Sequence, residues 1–224
     1  MIQLLFALIV SFLIVAVILI VTLAGMFFSF EFDFYEGSPW TEPIVSSLIV
    51  VGVLVFFSVF DVRFLDGAFS LDLNITGVLV PIVISAYILV HRHKSWKWLV
   101  VSTVVVALLA YPLTEIRWGM VVIDLPQWLI PTTVAALIGR YLARDNMMLG
   151  ASVAYFSGCM GMLIGGDLMH ISPLVVAGSE IVIGAGGILD FIFLPGVVAG
   201  AMVVTSLGVE DIVRSRLSNA RRVE

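Results

Sequence analysis

The chain has 224 residues, 61% of them hydrophobic and 12% charged, with a formal net charge of -5 and a mean hydropathy of +1.17. A soluble domain is about half apolar and about a quarter charged, so this composition excludes an ordinary soluble domain and makes lipid the solvent. The acidic balance, with no basic stripe, excludes a nucleic-acid footprint, and Cys159 as the single cysteine excludes an internal disulfide or a cysteine metal cluster.

Ile2 to Phe28 is nearly unbroken apolar sequence, interrupted by Gln3, Ser11 and Thr22. A bilayer core of about 30 Å needs about 20 helical residues, so this run is expected to span. It lacks a basic leader and a small-residue cleavage site, and is read as a retained first helix. Glu31 to Pro43, acidic and aromatic with Gly37 and Pro39, reads as an interfacial loop, and Ile44 to Phe60 as a second span. From Asp61 to Asn74 the period changes to two around Asp66-Gly67, which predicts a β-hairpin. Gly77 to Val90 is a short third span with Pro81 near its start, ended by the basic run His91 to Lys97.

Trp98 to Leu113 is the fourth span. Thr114 to Gln127 mixes acids, Arg117 and a β-like run, Met120 to Ile123. Trp128 to Gly139, with Pro131 in its first turn, is the fifth, and Arg140 to Asn146 follows. Met147 to Gly166 is the sixth, and its small residues, among them Gly150, Ala154, Gly158 and Gly161, permit close helix packing. The seventh starts near Asp190 and ends near Leu207, before a tail with Arg214, Arg216, Arg221 and Arg222.

The expected fold is a single all-α polytopic transmembrane bundle over residues 1–224, of about seven helices, with short β-hairpins or re-entrant segments on one membrane face. A faint internal repeat places Pro81, Pro131 and Pro195 each after a polar β-patterned segment, in units ending near residues 92, 142 and 208; the general preference of proline for first helical turns gives the same pattern. Lys and Arg concentrate in His91–Lys97, Arg140–Asn146 and the tail, so the positive-inside rule makes that side cytoplasmic, the C-terminus included, in a multi-pass protein of the cell membrane. The segments 61–76, 114–127 and 167–189 then share the other side.

Ionisable groups at membrane depth are costly and are by default functional candidates. Asp167 and Asp190 fall at facing ends of consecutive helices, and packed helix axes lie about 8–10 Å apart. Two carboxylates in a low-dielectric site do not both ionise easily, which supplies an acid and a base able to activate water against an amide. Alternatively Asp190 caps its helix and Asp167 lies in a wet loop. Asp167 and His170 form D-x-x-H and could ligate a metal with Glu180 or Asp190, but with no third ligand at fixed spacing no metal is assigned, and no cofactor is expected. A transport reading uses the same region: Gly184 to Gly187 and the prolines suit discontinuous helices, with Gly166, His170, Glu180, Gly186, Gly187 and Pro195 as substrate- or ion-binding candidates.

Blander readings cover the remainder. Asp61, Arg63, Asp66 and Asp72 read as a solvated hairpin; Glu115 and Arg117 share a strand face and can pair. Asn74-Ile75-Thr76 matches a glycosylation sequon but abuts a span and is discounted. Trp96, Trp98, Trp118 and Trp128 read as an interfacial belt.

The run Gly187-Ile188-Leu189-Asp190-Phe191-Ile192-Phe193 resembles the Gly-x-Gly-Asp motif of presenilins and related intramembrane aspartyl proteases, with Leu189 in the second glycine's place. The resemblance implies Asp190 as one catalytic aspartate and Asp167 as the other. Gly166-Asp167-Leu168, Gly184-Ala185-Gly186 with Asp190 and Phe193, and Asn74 to Pro81 make the whole chain resemble a family of uncharacterised bacterial and archaeal integral membrane proteins, domain-of-unknown-function family sixteen-fourteen. That resemblance implies membership and no activity. The leading expectation is therefore a presenilin-like aspartyl membrane hydrolase using Asp167 and Asp190 on a transmembrane peptide. A proton- or cation-coupled transporter is the alternative, and a non-catalytic membrane scaffold the third class.

Overall fold

Helix is the form in which an apolar segment satisfies its own backbone without water, and the long apolar runs adopt it. The computed structural model describes residues 52–65, 70–117, 120–124, 126–143, 146–172, 181–186 and 190–220. Within them the helices are α1 (residues 52–57), α2 (Val80–His91), α3 (Trp96–Ala110), α4 (Leu129–Leu142), α5 (Met147–Met162) and α6 (Phe193–Ala220). A π turn, Ile75–Leu79, leads into α2; a second, Leu163–Asp167, continues α5 and is followed by a 3₁₀ turn, Leu168–His170.

Counting these extensions, Trp96–Leu113 (18 residues) and Met147–His170 (24 residues) are long and apolar enough to cross a membrane, while Ile75–His91, Leu129–Leu142 and Phe193–Leu207 are apolar but shorter. The expected first span, Ile2 to Phe28, and the loop Glu31 to Pro43 lie outside the described residues. The observed fold is mostly helical with two small sheets, and the expectation of a seven-helix bundle extends past it.

The hairpin foreseen from alternation over Asp61–Asn74 is present, and the β-like run Met120–Ile123 is one strand of a second. Strand β1 (Asp61–Leu65) pairs antiparallel with β2 (Leu71–Asn74), Asp61 opposite Asn74 and Arg63 opposite Asp72; the turn at Asp66-Gly67 lies outside the described residues. Strands β3 (Thr114–Arg117) and β4 (Met120–Ile123) pair antiparallel, Thr114 opposite Ile123. The third β-patterned segment does something the alternation does not announce. Its strand β5 (Ile181–Ile183) runs parallel to β2, Leu71 beside Ile181 and Leu73 beside Ile183, giving the order β1-β2-β5. Parallel neighbours need a long crossover, and here α2 to α5 supply it.

Among the described residues, helix α5 is the centre of the bundle. It packs against α2, α3, α4 and α6, and Ala151, Val153, Ala154, Tyr155 and Cys159 on it are fully buried. A helix apolar all round belongs in the middle of a bundle. By contrast α3 leaves Val100, Val101, Val104 and Leu108 exposed, a wall suited to lipid. Thr103, Thr132 and Ser157 bond back to the carbonyls of Leu99, Trp128 and Val153, one turn earlier, so these three buried donors are satisfied, whereas the buried Ser85 hydroxyl on α2 has no partner among the described residues.

Close approach at α5 requires glycine. A Cβ on Gly158 would lie 2.8 Å from Gly196 Cα and 3.0 Å from the Pro195 carbonyl oxygen, both backbone atoms of α6. Gly158→Val is therefore expected to destabilise the protein by about 1–3 kcal/mol through overpacking, measured as a lower melting temperature in detergent. Gly52→Ala, where an added Cβ meets nothing within 4 Å, is the control and is expected not to lower the melting temperature. Equal melting of Gly158→Val and the unaltered chain would refute the tight contact.

Candidate functional site

The two sheets meet at one end of the bundle, over a small apolar core. Leu71 on β2, Val78 on the first π turn, Leu163 on the second, Ile181 and Ile183 on β5, and Ile192 form one buried cluster, with Val121 of β4 packed against it. Leu163 opens the turn that ends at Asp167, and Ile192 is two residues past Asp190. Burial of six apolar side chains from five segments thus gathers both acid-bearing stretches.

Asn74 holds the frame of this end. It is 2% exposed; its Nδ2 donates to the Ser58 carbonyl at 2.8 Å, the Phe60 carbonyl at 3.3 Å and Asp61 Oδ1 at 3.0 Å, and its Oδ1 accepts from Gly77 N at 2.9 Å. It therefore ends β2 and caps the first π turn in one side chain. Its amide is engaged and buried, which agrees with discounting the sequon. Gly77 lies directly against the backbone of Gly184, whose φ of +79° is the left-handed region that suits glycine.

Two residues beyond Gly184, the amide of Gly186 donates to Asp190 Oδ2 at 3.1 Å, and the amide of Ile192 donates to Asp190 Oδ1 at 2.8 Å. The Asp190 carbonyl accepts from Leu194 N at 3.0 Å, opening α6. Asp190 is thus a half-buried carboxylate with each oxygen held by a backbone amide, anchoring the turn that precedes its helix. Pro195 is buried in the first turn of α6, where its missing amide costs no bond.

Asp167 is held differently. It closes the π turn Leu163–Asp167, half-buried, and its carboxylate has no hydrogen bond to any described residue. It lies within range of the charge on Asp190. Gly165 presses on the Ala107 backbone of α3, and Gly166 faces Thr114, with a Cβ there 3.8 Å from Thr114 Oγ1. One turn on, His170 Nδ1 bonds the Gly166 carbonyl. A carbonyl only accepts, so Nδ1 carries the proton and a neutral ring leaves Nε2 as an acceptor. The ring stacks on Tyr111, centroids 4.9 Å apart.

Of the residues named from sequence, Gly166, Asp167, His170, Gly186, Asp190 and Pro195 are thereby placed, and Glu180 and Gly187 lie outside the described residues. Among the described residues no group of three or more His, Cys, Asp or Glu is placed to hold a metal ion. Sequence reasoning passed over Tyr111 and Thr114 as site neighbours and gave Asn74 no structural role. The signal for Asn74 was its place between a strand pattern and a span.

The Glu115–Arg117 pair exists, but exposed and enlarged. Arg117 Nη2 reaches Glu115 Oε2 at 2.8 Å and Asp124 Oδ2 at 2.7 Å. Its guanidinium is held above its ordinary value by hydrogen bonds to Asp124 and then Glu115, so it clamps β3 to the start of the next loop and offers no proton chemistry.

Substituting Asn74 tests the frame. Asn74→Ala is expected to cost about 1–3 kcal/mol by stranding buried partners. Asn74→Asp is expected to cost more, because a carboxylate would face the three oxygens that the two Nδ2 protons now share. Melting temperatures of the two variants check the order, and indifference to both would refute the capping role.

Residues 41–202 match the family model described as "Protein of unknown function (DUF1614)", a stretch that contains Asn74, Asp167 and Asp190. No curated protein matches the chain, and no solved structure does. The match covers most of the sequence and the whole candidate site, and on it the chain is a member of that family.

Proposed function

We propose that the protein carries a proton or a small cation across the membrane at the Asp167–Asp190 pair, as a coupled transporter. The observation that carries this reading is the asymmetry of the two acids. Asp190 is pinned through both oxygens by backbone amides, while Asp167, in range of its charge, has no hydrogen-bond partner among the described residues. A fixed acid beside an unoccupied one is an arrangement that takes up and releases a positive charge; a neighbouring carboxylate favours the bound state and disfavours the empty one. Support comes also from where they lie. Both follow or precede interruptions of regular helix; discontinuous helices typically build the ion sites of transporters, and intramembrane acids mark ion and proton pathways. Asp167 is the carrier in this reading, Asp190 sets its field, and His170 stands one turn away.

The aspartyl hydrolase is the second reading, favoured by the same nearness of two carboxylates and by the Gly187–Phe193 likeness. It asks both carboxylates to share one water. The two hydrogen bonds that backbone amides donate to Asp190 leave that carboxylate less free to do so, which is why it ranks second.

Purified protein in liposomes loaded with a pH-sensitive dye distinguishes them. Under an imposed proton or sodium gradient, the unaltered protein is expected to dissipate the gradient at least about tenfold faster than Asp167→Asn, with Asp167→Glu intermediate; one buried charge interaction is worth on that order. Asp190→Asn is expected to weaken both flux and folding, because it also removes an anchor of the α6 turn. Flux equal to that of empty liposomes, or flux unaffected by Asp167→Asn, sinks the transport reading. Cleavage of a transmembrane peptide, lost in both variants, would put the hydrolase in its place, and neither activity would leave the scaffold.

A further inference from the structure

Away from the acid pair, the turn between α2 and α3 carries a second constellation. Helix α2 ends as Arg92 N bonds the Ile88 carbonyl at 2.7 Å, and Ser95 N bonds the Arg92 carbonyl at 2.8 Å, so the chain reverses within a few residues. Arg92, Lys94 and Lys97 are crowded there. Among the described residues no carboxylate pairs with any of them, although Arg63 and Arg117 both have such partners. Lys94 and Lys97 are exposed, and the Nε of Arg92 is buried with no hydrogen-bond partner among the described residues.

Aromatic and apolar surface lies next to these cations. Trp96 and Trp98 are 52% and 46% exposed, an unusual state for tryptophan unless an amphiphile covers it. Leu89 and Val90 at the end of α2 and Val100, Val101 and Val104 on α3 are exposed as well. The first turn of α3 also has no acidic residue and no side-chain cap, and holds Lys97, a cation at the helix end that favours anions.

We propose that this turn is a binding site for the headgroup of an anionic phospholipid, independent of the activity at Asp167. Arg92, Lys94 and Lys97 meet the phosphate, Trp96 and Trp98 sit at the glycerol level, and the exposed α2 and α3 side chains line the acyl chains. A free phosphate would satisfy the cations but leave the tryptophans and the apolar wall bare, so a lipid is the occupant that matches the whole surface. Basic clusters at the ends of membrane helices bind acidic headgroups for this reason, and the cytoplasmic leaflet, where the positive-inside rule puts this loop, is the anionic one.

The test uses the full chain in neutral detergent micelles doped with either dioleoyl phosphatidylglycerol or dioleoyl phosphatidylcholine, with retained lipid counted by native mass spectrometry. The unaltered protein is expected to retain phosphatidylglycerol over phosphatidylcholine, less so in raised salt. R92Q/K94Q/K97Q is expected to lose that preference, by up to roughly fivefold in affinity per removed cation. Arg63→Gln, on the exposed hairpin, is expected to keep it. Should the triple variant fail to fold, K94Q/K97Q, at two exposed positions, serves in its place with a proportionally smaller loss. Equal phosphatidylglycerol retention by the variant and the unaltered protein overturns the proposal. So does displacement of the lipid by millimolar glycerol phosphate, which would mark a site for free phosphate esters.

Discussion

Two apolar helices in lipid gain nothing hydrophobic by touching, because acyl chains are as apolar as leucine; what holds them is dispersion at short range and the hydrogen bonds that short range allows. In this chain that short range comes from glycines on α5 and its extension. Gly158 admits the first turn of α6, Gly150 meets Gly139 of α4, and Gly161 and Gly165 admit Val106 and Ala107 of α3. The consequence reaches the site. The Gly158 contact falls on Pro195 and Gly196, five and six residues after Asp190, and the Gly165 contact falls two residues before Asp167. One set of small residues therefore sets where both acids stand.

A second layer fixes the orientation of Asp190 alone. The amide side chain of Asn74 is worth more than its size suggests, because each of its bonds replaces water that cannot reach a residue 2% exposed. Through Gly77 it supports Gly184, and through the Gly184–Gly186 turn it supports the amide that holds Asp190. Asp167 has no counterpart of this frame among the described residues. Its turn is widened to π geometry, which regular helices resist and which recurs where function requires a local break. The difference between the acids is thus built into the backbone around them, and the side chains themselves are identical.

Much of the fold could be read before any coordinates. Length and apolarity place the helices to within a few residues: Gly77–Val90 against Val80–His91, Trp98–Leu113 against Trp96–Ala110, Trp128–Gly139 against Leu129–Leu142. Two-residue alternation around a turn was enough for β1–β2 and for β4, since a hairpin is a local object. What alternation could not carry was any partner distant in sequence. The union of β2 with β5 depends on the crossover through four helices, the Asp124 arm of the Arg117 clamp on hairpin register, and the Asn74 bonds on carbonyls of Ser58 and Phe60. At the candidate site the two acids stand out in the sequence itself, since an ionisable group is costly at membrane depth. Whether Asp190 was free or anchored was not, because that turns on two backbone amides whose direction no residue type encodes.

The register of β5 on β2 ties these layers together. Leu71 pairs with Ile181 and Leu73 with Ile183, which buries Ile181 and Ile183 and exposes Val182. A slip of one residue would turn Val182 inward and both isoleucines outward, since side chains alternate along a strand. The same slip would carry Gly184 off Gly77 and set the side chain of Ile183 or the Cβ of Ala185 against that backbone, where even a Cβ does not fit. The apolar cluster and the glycine contact are therefore two expressions of one constraint, and each rejects the errors that the other would reject. Asp190 inherits that accuracy. Gly186 follows β5 by three residues with one left-handed glycine between, so its amide arrives at the carboxylate only in the correct register. A three-residue strand, too short to stand alone, is thereby enough to position a carboxylate whose own helix starts elsewhere in the bundle.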